Sequence, residues 1–315
     1  MTPVTQKKLK TDNYKPETKL NILITGASGF LGFHIASALA KKHNVFAIAH
    51  NNSPVIEGVQ WIPHDLRHAK GVDWIFEEIH PDVVFHAAAM TSVKDCEAYR
   101  KEATKTNIKS TERITELCER GGVHLIYAST DLVFDGTRGN YSEEDITNPI
   151  SFYARTKRVA EEVVQGGASN HTIIRFALLY GPPSPHSRSF LGWMGDGFKN
   201  NQPVTLFTDQ FRTPLYVKDA ALLVEKLIDR RDEPPKLKLL HAGGPERLSR
   251  DEIGEIYCDV FGYDKILIKK IKMAEKGEVT NDAADVSLSI EKAKTFLEFD
   301  PRSVREGFED MTRVE

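Results

Sequence analysis

Leu20-Asn21-Ile22-Leu23-Ile24-Thr25-Gly26-Ala27-Ser28-Gly29-Phe30-Leu31-Gly32 is the stretch that decides the fold of this 315-residue chain. Its first six residues are short, apolar and rich in branched side chains, the mark of a strand buried on both faces in a parallel sheet. Three glycines follow at the spacing Gly26-x-x-Gly29-x-x-Gly32. The residues from Leu31 to Lys42 then carry helical spacing through Leu31, Ile35, Ala38 and Leu39. A glycine turn between strand and helix lets backbone N–H groups approach a pyrophosphate, and the helix N-terminus offsets its charge. Gly26, Ser28, Gly29, Phe30, Leu31 and Gly32 are therefore candidate cofactor contacts. The spacing is longer than Gly-x-Gly-x-x-Gly, and a glycine-rich turn without ligand is the alternative reading.

Outward from this unit the pattern repeats. Strands are predicted at 45–49, 60–62, 82–86, 124–129 and 172–176, and helices at 72–79, 98–120 and 152–165. Gly166-Gly167 is read as the stop of the last helix. This alternation predicts an α/β fold: a Rossmann-like, doubly wound parallel sheet covered on both faces. After Tyr180, Gly181-Pro182-Pro183-Ser184-Pro185 breaks the rhythm. The expected organisation is a tail over 1–19, a nucleotide-binding unit over 20–180, and a smaller mixed region over 181–315. That last region mainly binds substrate near the carboxyl ends of the strands, with some segments returning to the sheet.

Composition excludes other classes. The 42 basic and 45 acidic residues leave a net charge of −3, which argues against nucleic acid as the main partner. No apolar run reaches the ~18 residues that a membrane helix needs. Cys96, Cys118 and Cys258 form no CxxC and no cluster with histidine, so neither a disulfide framework nor a zinc site is expected. A reducing, cytoplasmic setting follows. The lysine-rich tail before Leu20 has almost no apolar content and lacks the features of a secretory signal.

The second strand ends Ala49-His50-Asn51-Asn52, where an NAD-preferring fold often places an acid for the ribose 2′-hydroxyl. No acid stands there to repel a 2′-phosphate, and no arginine to attract one. NADP(H) is thereby favoured over NAD(H), with His50 and Asn51 as contacts. Asp65 and Leu66, after the third strand, could reach the adenine; an ordinary loop aspartate is the alternative.

The fifth strand ends Ser129-Thr130-Asp131, and Tyr153-Ala154-Arg155-Thr156-Lys157 opens the next helix. Residues four apart on a helix share a face. A tyrosine with a pKa near 10 is a poor acid or base at neutral pH, and an adjacent ammonium lowers that value. Such a tyrosine can pass a proton to a carbonyl oxygen as hydride reaches the carbon. Thr130 or Ser129 could hold the same oxygen. Two surface residues of a helix are the alternative for Tyr153 and Lys157.

With these residues in view the chain resembles an extended short-chain dehydrogenase/reductase, and most of all the dTDP-4-dehydrorhamnose reductase (RmlD-like) family. The resemblance rests on the glycine motif, His86-Ala87-Ala88-Ala89, Asn107, Ser129 to Gly136, Tyr153-x-x-x-Lys157, Leu179-Tyr180-Gly181 and Asp209 to Pro214. It implies that Thr130, Tyr153 and Lys157 are catalytic and that Lys157 also holds the nicotinamide ribose. It implies that Ala87, Ala88, Ala89, Asn107 and Ser129 serve the cofactor, that Asp131 touches substrate, and that Arg212 meets a substrate diphosphate. For Arg212 a pair with a carboxylate is the alternative. The implied activity is NAD(P)H-dependent reduction of the 4-keto group of a nucleotide-diphosphate sugar, with a homodimer left open. The family also holds a regulatory branch, resembling the beta subunit of methionine adenosyltransferase, that keeps the nucleotide fold and a Tyr-x-x-x-Lys pair. The segment from Pro182 to Lys199 matches nothing closely, so the sugar is not named.

Overall fold

A computed structural model describes residues 19–50, 53–68, 71–185, 190–233, 237–276 and 282–313. The tail expected over 1–19 lies outside the described residues except for Lys19, as does Asn51. In chain order the elements are β1 (Asn21–Thr25), α1 (Phe30–Leu39), β2 (Asn44–Ala49), β3 (Val59–Pro63), α2 (Asp73–Ile79), β4 (Val83–His86), α3 (Val93–Ala98) and α4 (Arg100–Thr104). A π-helical turn over Lys105–Lys109 joins α4 to α5 (Ser110–Gly121). Then come β5 (His124–Thr130), α6 (Phe152–Gly167), β6 (His171–Phe176), β7 (Leu179–Tyr180), α7 (Phe190–Lys199), β8 (Val204–Phe207), β9 (Phe211–Arg212) and β10 (Leu215–Tyr216). The chain closes with α8 (Val217–Asp229), β11 (Leu239–Ala242), β12 (Leu248–Ser249), α9 (Arg250–Phe261), β13 (Ile268–Ile271), α10 (Glu291–Leu297) and α11 (Val304–Thr312).

Seven strands form one parallel sheet in the order β3-β2-β1-β4-β5-β6-β11. The order reverses at β1 and β4, and a crevice opens at such a switch point beyond the carboxyl ends of the strands. Side chains alternate across each strand. Ile22 and Ile24 face a core shared with α1, α8 and α10, whereas Leu23 faces the core built by α2, α5 and α6. Both faces are thus covered, which is why the strands read as unbroken apolar runs. A third core joins α7, α9 and α11 through Met194, Phe198, Ile253 and Phe308. No described helix is long and apolar enough to cross a membrane.

Three features depart from the sequence pattern. The seventh strand, β11, comes from the irregular region and pairs in parallel with β6, Leu239 opposite Ile173. The helix expected over 98–120 is broken at Tyr99 and carries the π turn. A π turn inserts an extra residue, so it changes which side chains face inward; here it buries Asn107. Finally, α6 runs through Gly166 and Gly167 instead of stopping before them. A side chain on Gly167 would meet the Thr115 methyl at 2.7 Å, so this glycine allows α5 and α6 to pack closely.

Candidate active site

The turn between β1 and α1 is as tight as its glycines suggest. Gly26 has φ +73°, a left-handed conformation that glycine tolerates. A Cβ there would lie 2.6 Å from the Ala88 nitrogen, and one on Gly32 would overlap the Gly26 carbonyl. Gly29 caps α1 without a side-chain hydrogen bond, which leaves the N-terminal N–H groups open. Across the crevice, the Thr25 hydroxyl shares a 2.6 Å hydrogen bond with His86 Nδ1 and accepts one from the Ala88 N–H at 3.2 Å. His86 Nε2 meets the Thr111 hydroxyl at 2.9 Å.

A cavity of about 970 Å³ fills the crevice. Gly26, Ser28, Gly29, Phe30, Leu31, Gly32, His50, Asp65, Leu66, Ala87, Ala88, Ala89, Ser129, Thr130 and Tyr153 all line it. Asn107, Asp131, Lys157 and Arg212 do not. The Asn107 amide donates to the Met90 carbonyl at 3.0 Å and to the Thr156 hydroxyl at 2.8 Å, and its oxygen accepts from the Met90 N–H at 2.7 Å. It holds the wall of the cavity and does not face into it.

Tyr153 lies in the first turn of α6, whose N-cap Ser151 accepts a hydrogen bond from the Ala154 N–H. The phenol lies near Thr130. Burial, and then the Asp131 carboxylate, hold its pKa well above the usual tyrosine value. Lys157 is buried and makes its contacts within the protein. Its ammonium donates to the Ala128 carbonyl at 2.7 Å and sits 4.1 Å from the centre of the Tyr127 ring. Burial brings its pKa down to about 7, opposed by the Glu161 charge.

Ser129 turns away from the expected role. Its hydroxyl donates to Glu161 Oε1 at 2.6 Å. Glu161 is paired with Arg175 through bonds of 2.9 and 2.8 Å, and both residues are buried. Arg212 is 4% exposed. Its Nη groups donate to the carbonyls of Phe211, Ala283 and Ala284, and its Nε lies 4.0 Å from Asp131 Oδ2. The carboxylate-paired alternative describes this arginine as it stands.

Two arginines escaped the sequence reading. Arg67, on the loop after β3, lines the cavity and donates to Asp65 through Nε at 3.0 Å and Nη2 at 2.7 Å. The pair holds the Asp65 carboxyl down to about 2. His50 Nε2 lies 3.5 Å from the same carboxylate. The other is Arg250, the first residue of α9. Arg67 stands only two residues past Asp65, a proximity that could have drawn notice; nothing in the local sequence marks Arg250. Among the described residues, no group of three or more His, Cys, Asp or Glu could hold a metal.

The buried histidines set an acid limit on stability. Burial, with Lys157 secondary, lowers His86 to about 3, and burial, with Arg175 secondary, lowers His241 to about 3. The unfolded chain takes up these protons near 6.5 while the native state refuses them. Their stabilising contribution is therefore full above about pH 6.5 and erodes as pH falls from there toward 3, by at most ~1.4 kcal/mol per unit for each histidine. Urea unfolding between pH 7 and 5, above most carboxylate titration, should show stability falling with acid. A level profile over that range would contradict it.

Comparison with known proteins places the geometry in context. A family model described as the RmlD substrate binding domain matches residues 20–314. Agl14 of Haloferax volcanii, described as a probable low-salt glycan biosynthesis reductase, is 29% identical over 256 residues, 80% of this chain and 84% of its own. The beta subunit of methionine adenosyltransferase 2 from Bos taurus is 30% identical over 244 residues, 76% of this chain and 72% of its own. The structure of a dTDP-4-dehydrorhamnose reductase from Bacillus anthracis in complex with NADP superposes with a TM-score of 0.80 at 22% identity, covering 95% of this chain and 100% of that one.

Proposed function

Because the chain belongs to the RmlD substrate-binding family, we propose that it is an NAD(P)H-dependent reductase of the 4-keto group of a nucleotide-diphosphate sugar. One observation carries this reading: Tyr153 and Thr130 line the same cavity as the glycine turn. The turn fits a dinucleotide, since Gly26, Gly29 and Gly32 line the cavity at the N-terminus of α1. The nicotinamide would supply hydride. Tyr153 gives its proton to the keto oxygen, and Thr130 orients that phenol. The raised pKa is opposite to the lowering expected from Lys157: it keeps the phenol protonated but makes it a weaker acid until a bound ligand changes its surroundings. Lys157, anchored on Ala128, supports the floor of the site and the nicotinamide ribose. The test is NADPH consumption, followed by absorbance, across a panel of 4-keto nucleotide sugars. No turnover with any of them would sink the reading.

Cofactor choice follows from the far end of the cavity. NADP(H) is favoured because Arg67, which lines that end of the cavity, is a cation that could leave Asp65 for a 2′-phosphate. A planar guanidinium suits a phosphate well. Arg67→Ala is expected to weaken NADPH binding roughly tenfold, about 1.4 kcal/mol, with little effect on NADH. Fluorescence titration of both cofactors reads this; equal losses would show that Arg67 does not discriminate.

A second reading has its own support in the 30% identity with the Bos taurus beta subunit. In that reading the chain binds cofactor and serves as a partner of another enzyme. Co-purification with such an enzyme, together with the Tyr153 substitution argued in the Discussion, separates the two.

A further inference from the structure

We propose that Arg250 and Asp131 form a substrate subsite next to Tyr153, in which Arg250 takes an anionic phosphate oxygen and Asp131 a sugar hydroxyl. This rests on the reading of the chain as a nucleotide-sugar reductase and names the residues that would recognise the sugar-phosphate end.

The argument is an account of hydrogen bonds. Asp131 Oδ2 and Arg250 Nη1 are both buried, and neither has a hydrogen-bond partner among the described residues. Buried polar groups are nearly always paired, and a buried charge left without partners is costly. Each side chain is anchored through another of its atoms. Asp131 Oδ1 accepts from the Thr130 hydroxyl at 3.1 Å. Arg250 Nε donates to Gln210 Oε1 at 2.8 Å, and the guanidinium lies 4.4 Å from the centre of the Phe190 ring. Both groups are therefore held in place with a buried polar atom that makes no hydrogen bond, Asp131 Oδ2 having only Arg212 Nε at 4.0 Å. The unused atoms are an acceptor and a cationic donor, so the complementary ligand carries a hydroxyl and an anionic oxygen. A sugar joined to a phosphate has both.

Arg212, the arginine that the resemblance assigns to the diphosphate, has both Nη groups on backbone carbonyls. Arg250 is the neighbour with a donor to offer. Burial, and then the charge of Arg212, lower the Arg250 pKa to about 9, so an anion there would relieve a crowded pair of cations. The cluster reaches the catalytic hydroxyls, because Thr130 donates to Asp131 and the Asp131 carboxylate is close enough to act on the Tyr153 phenol.

The test is calorimetric titration of the full chain, saturated with NADPH, with UDP-glucose and dTDP-glucose. Arg250→Met should raise the dissociation constant for the sugar nucleotide ~10–100-fold, the loss of a charge-assisted hydrogen bond. Arg250→Lys should recover part of it, and NADPH affinity and melting temperature should stay near the unmutated values. Asp131→Asn should weaken binding of the sugar nucleotides while leaving free UDP unchanged, since UDP lacks the sugar hydroxyl. Unaltered binding of the sugar nucleotides by Arg250→Met overturns the subsite alone. A loss of NADPH binding or of folding in both Arg250 variants overturns it in favour of a structural role. An unmutated chain that binds NADPH but neither sugar nucleotide overturns the underlying reading, and the subsite with it.

Discussion

Tyr153→Phe is expected to slow reduction of the keto-sugar by ~10²–10⁴-fold while cofactor binding survives, the range typical of a lost general acid. The ring packs against Cys96 and Ala103, and phenylalanine keeps that contact. Only the hydroxyl is removed. Single-turnover rates with NADPH and a 4-keto nucleotide sugar measure the loss, and fluorescence titration checks the cofactor. A variant that turns over at the unmutated rate would refute the catalytic assignment even with fold and cofactor intact. If the chain instead acts as a regulatory subunit, the same substitution leaves activation of the partner enzyme unchanged.

Arg175→Met should produce the largest loss of stability, on the order of 3–5 kcal/mol, because it strands the Glu161 carboxylate. Glu161 sits under the sheet between Ser129 and Arg175 with both oxygens engaged. Removing one member of a buried pair leaves a buried carboxylate answered only by Arg158, 3.8 Å away, and by the charge of Lys157. The double variant Glu161→Gln/Arg175→Met should recover much of the loss, since a neutral amide can stay near Ser129. Denaturant midpoints of the single and double variants measure this. If the single variant lost less than about 1 kcal/mol, the pair would not be a determinant of the fold. Because Glu161 also supports the charge of Lys157, the double variant should lower the pH at which Lys157 loses its proton.

Much of the cofactor half was legible along the chain. Glycines at 26, 29 and 32 sit between a strand and a helix, and Ala87 to Ala89 follow a strand end; each is a local pattern with a local cause. Tyr153 and Lys157 were legible as a pair on one helix face, but their partners were not. Lys157 bonds Ala128, and Ser129 bonds Glu161, thirty-two residues away. Side chains choose hydrogen-bond partners by proximity in space, and helical spacing says only which face they share.

The sequence by itself determined the parallel sheet, the glycine turn and the placement of Thr130 and Tyr153 at the end of β5 and the start of α6. It could do so because strand and helix periodicity, turn chemistry and motif spacing are properties of neighbouring residues. Only the tertiary structure decided that β11 completes the sheet, that the π turn buries Asn107, and that Arg67 and His50 both meet Asp65. It alone decided which arginine near Asp131 is consumed and which has a donor left, Arg212 being spent on the carbonyls of 211, 283 and 284. Those outcomes depend on which distant backbone and side-chain groups packing brings within about 3 Å, the reach of a hydrogen bond.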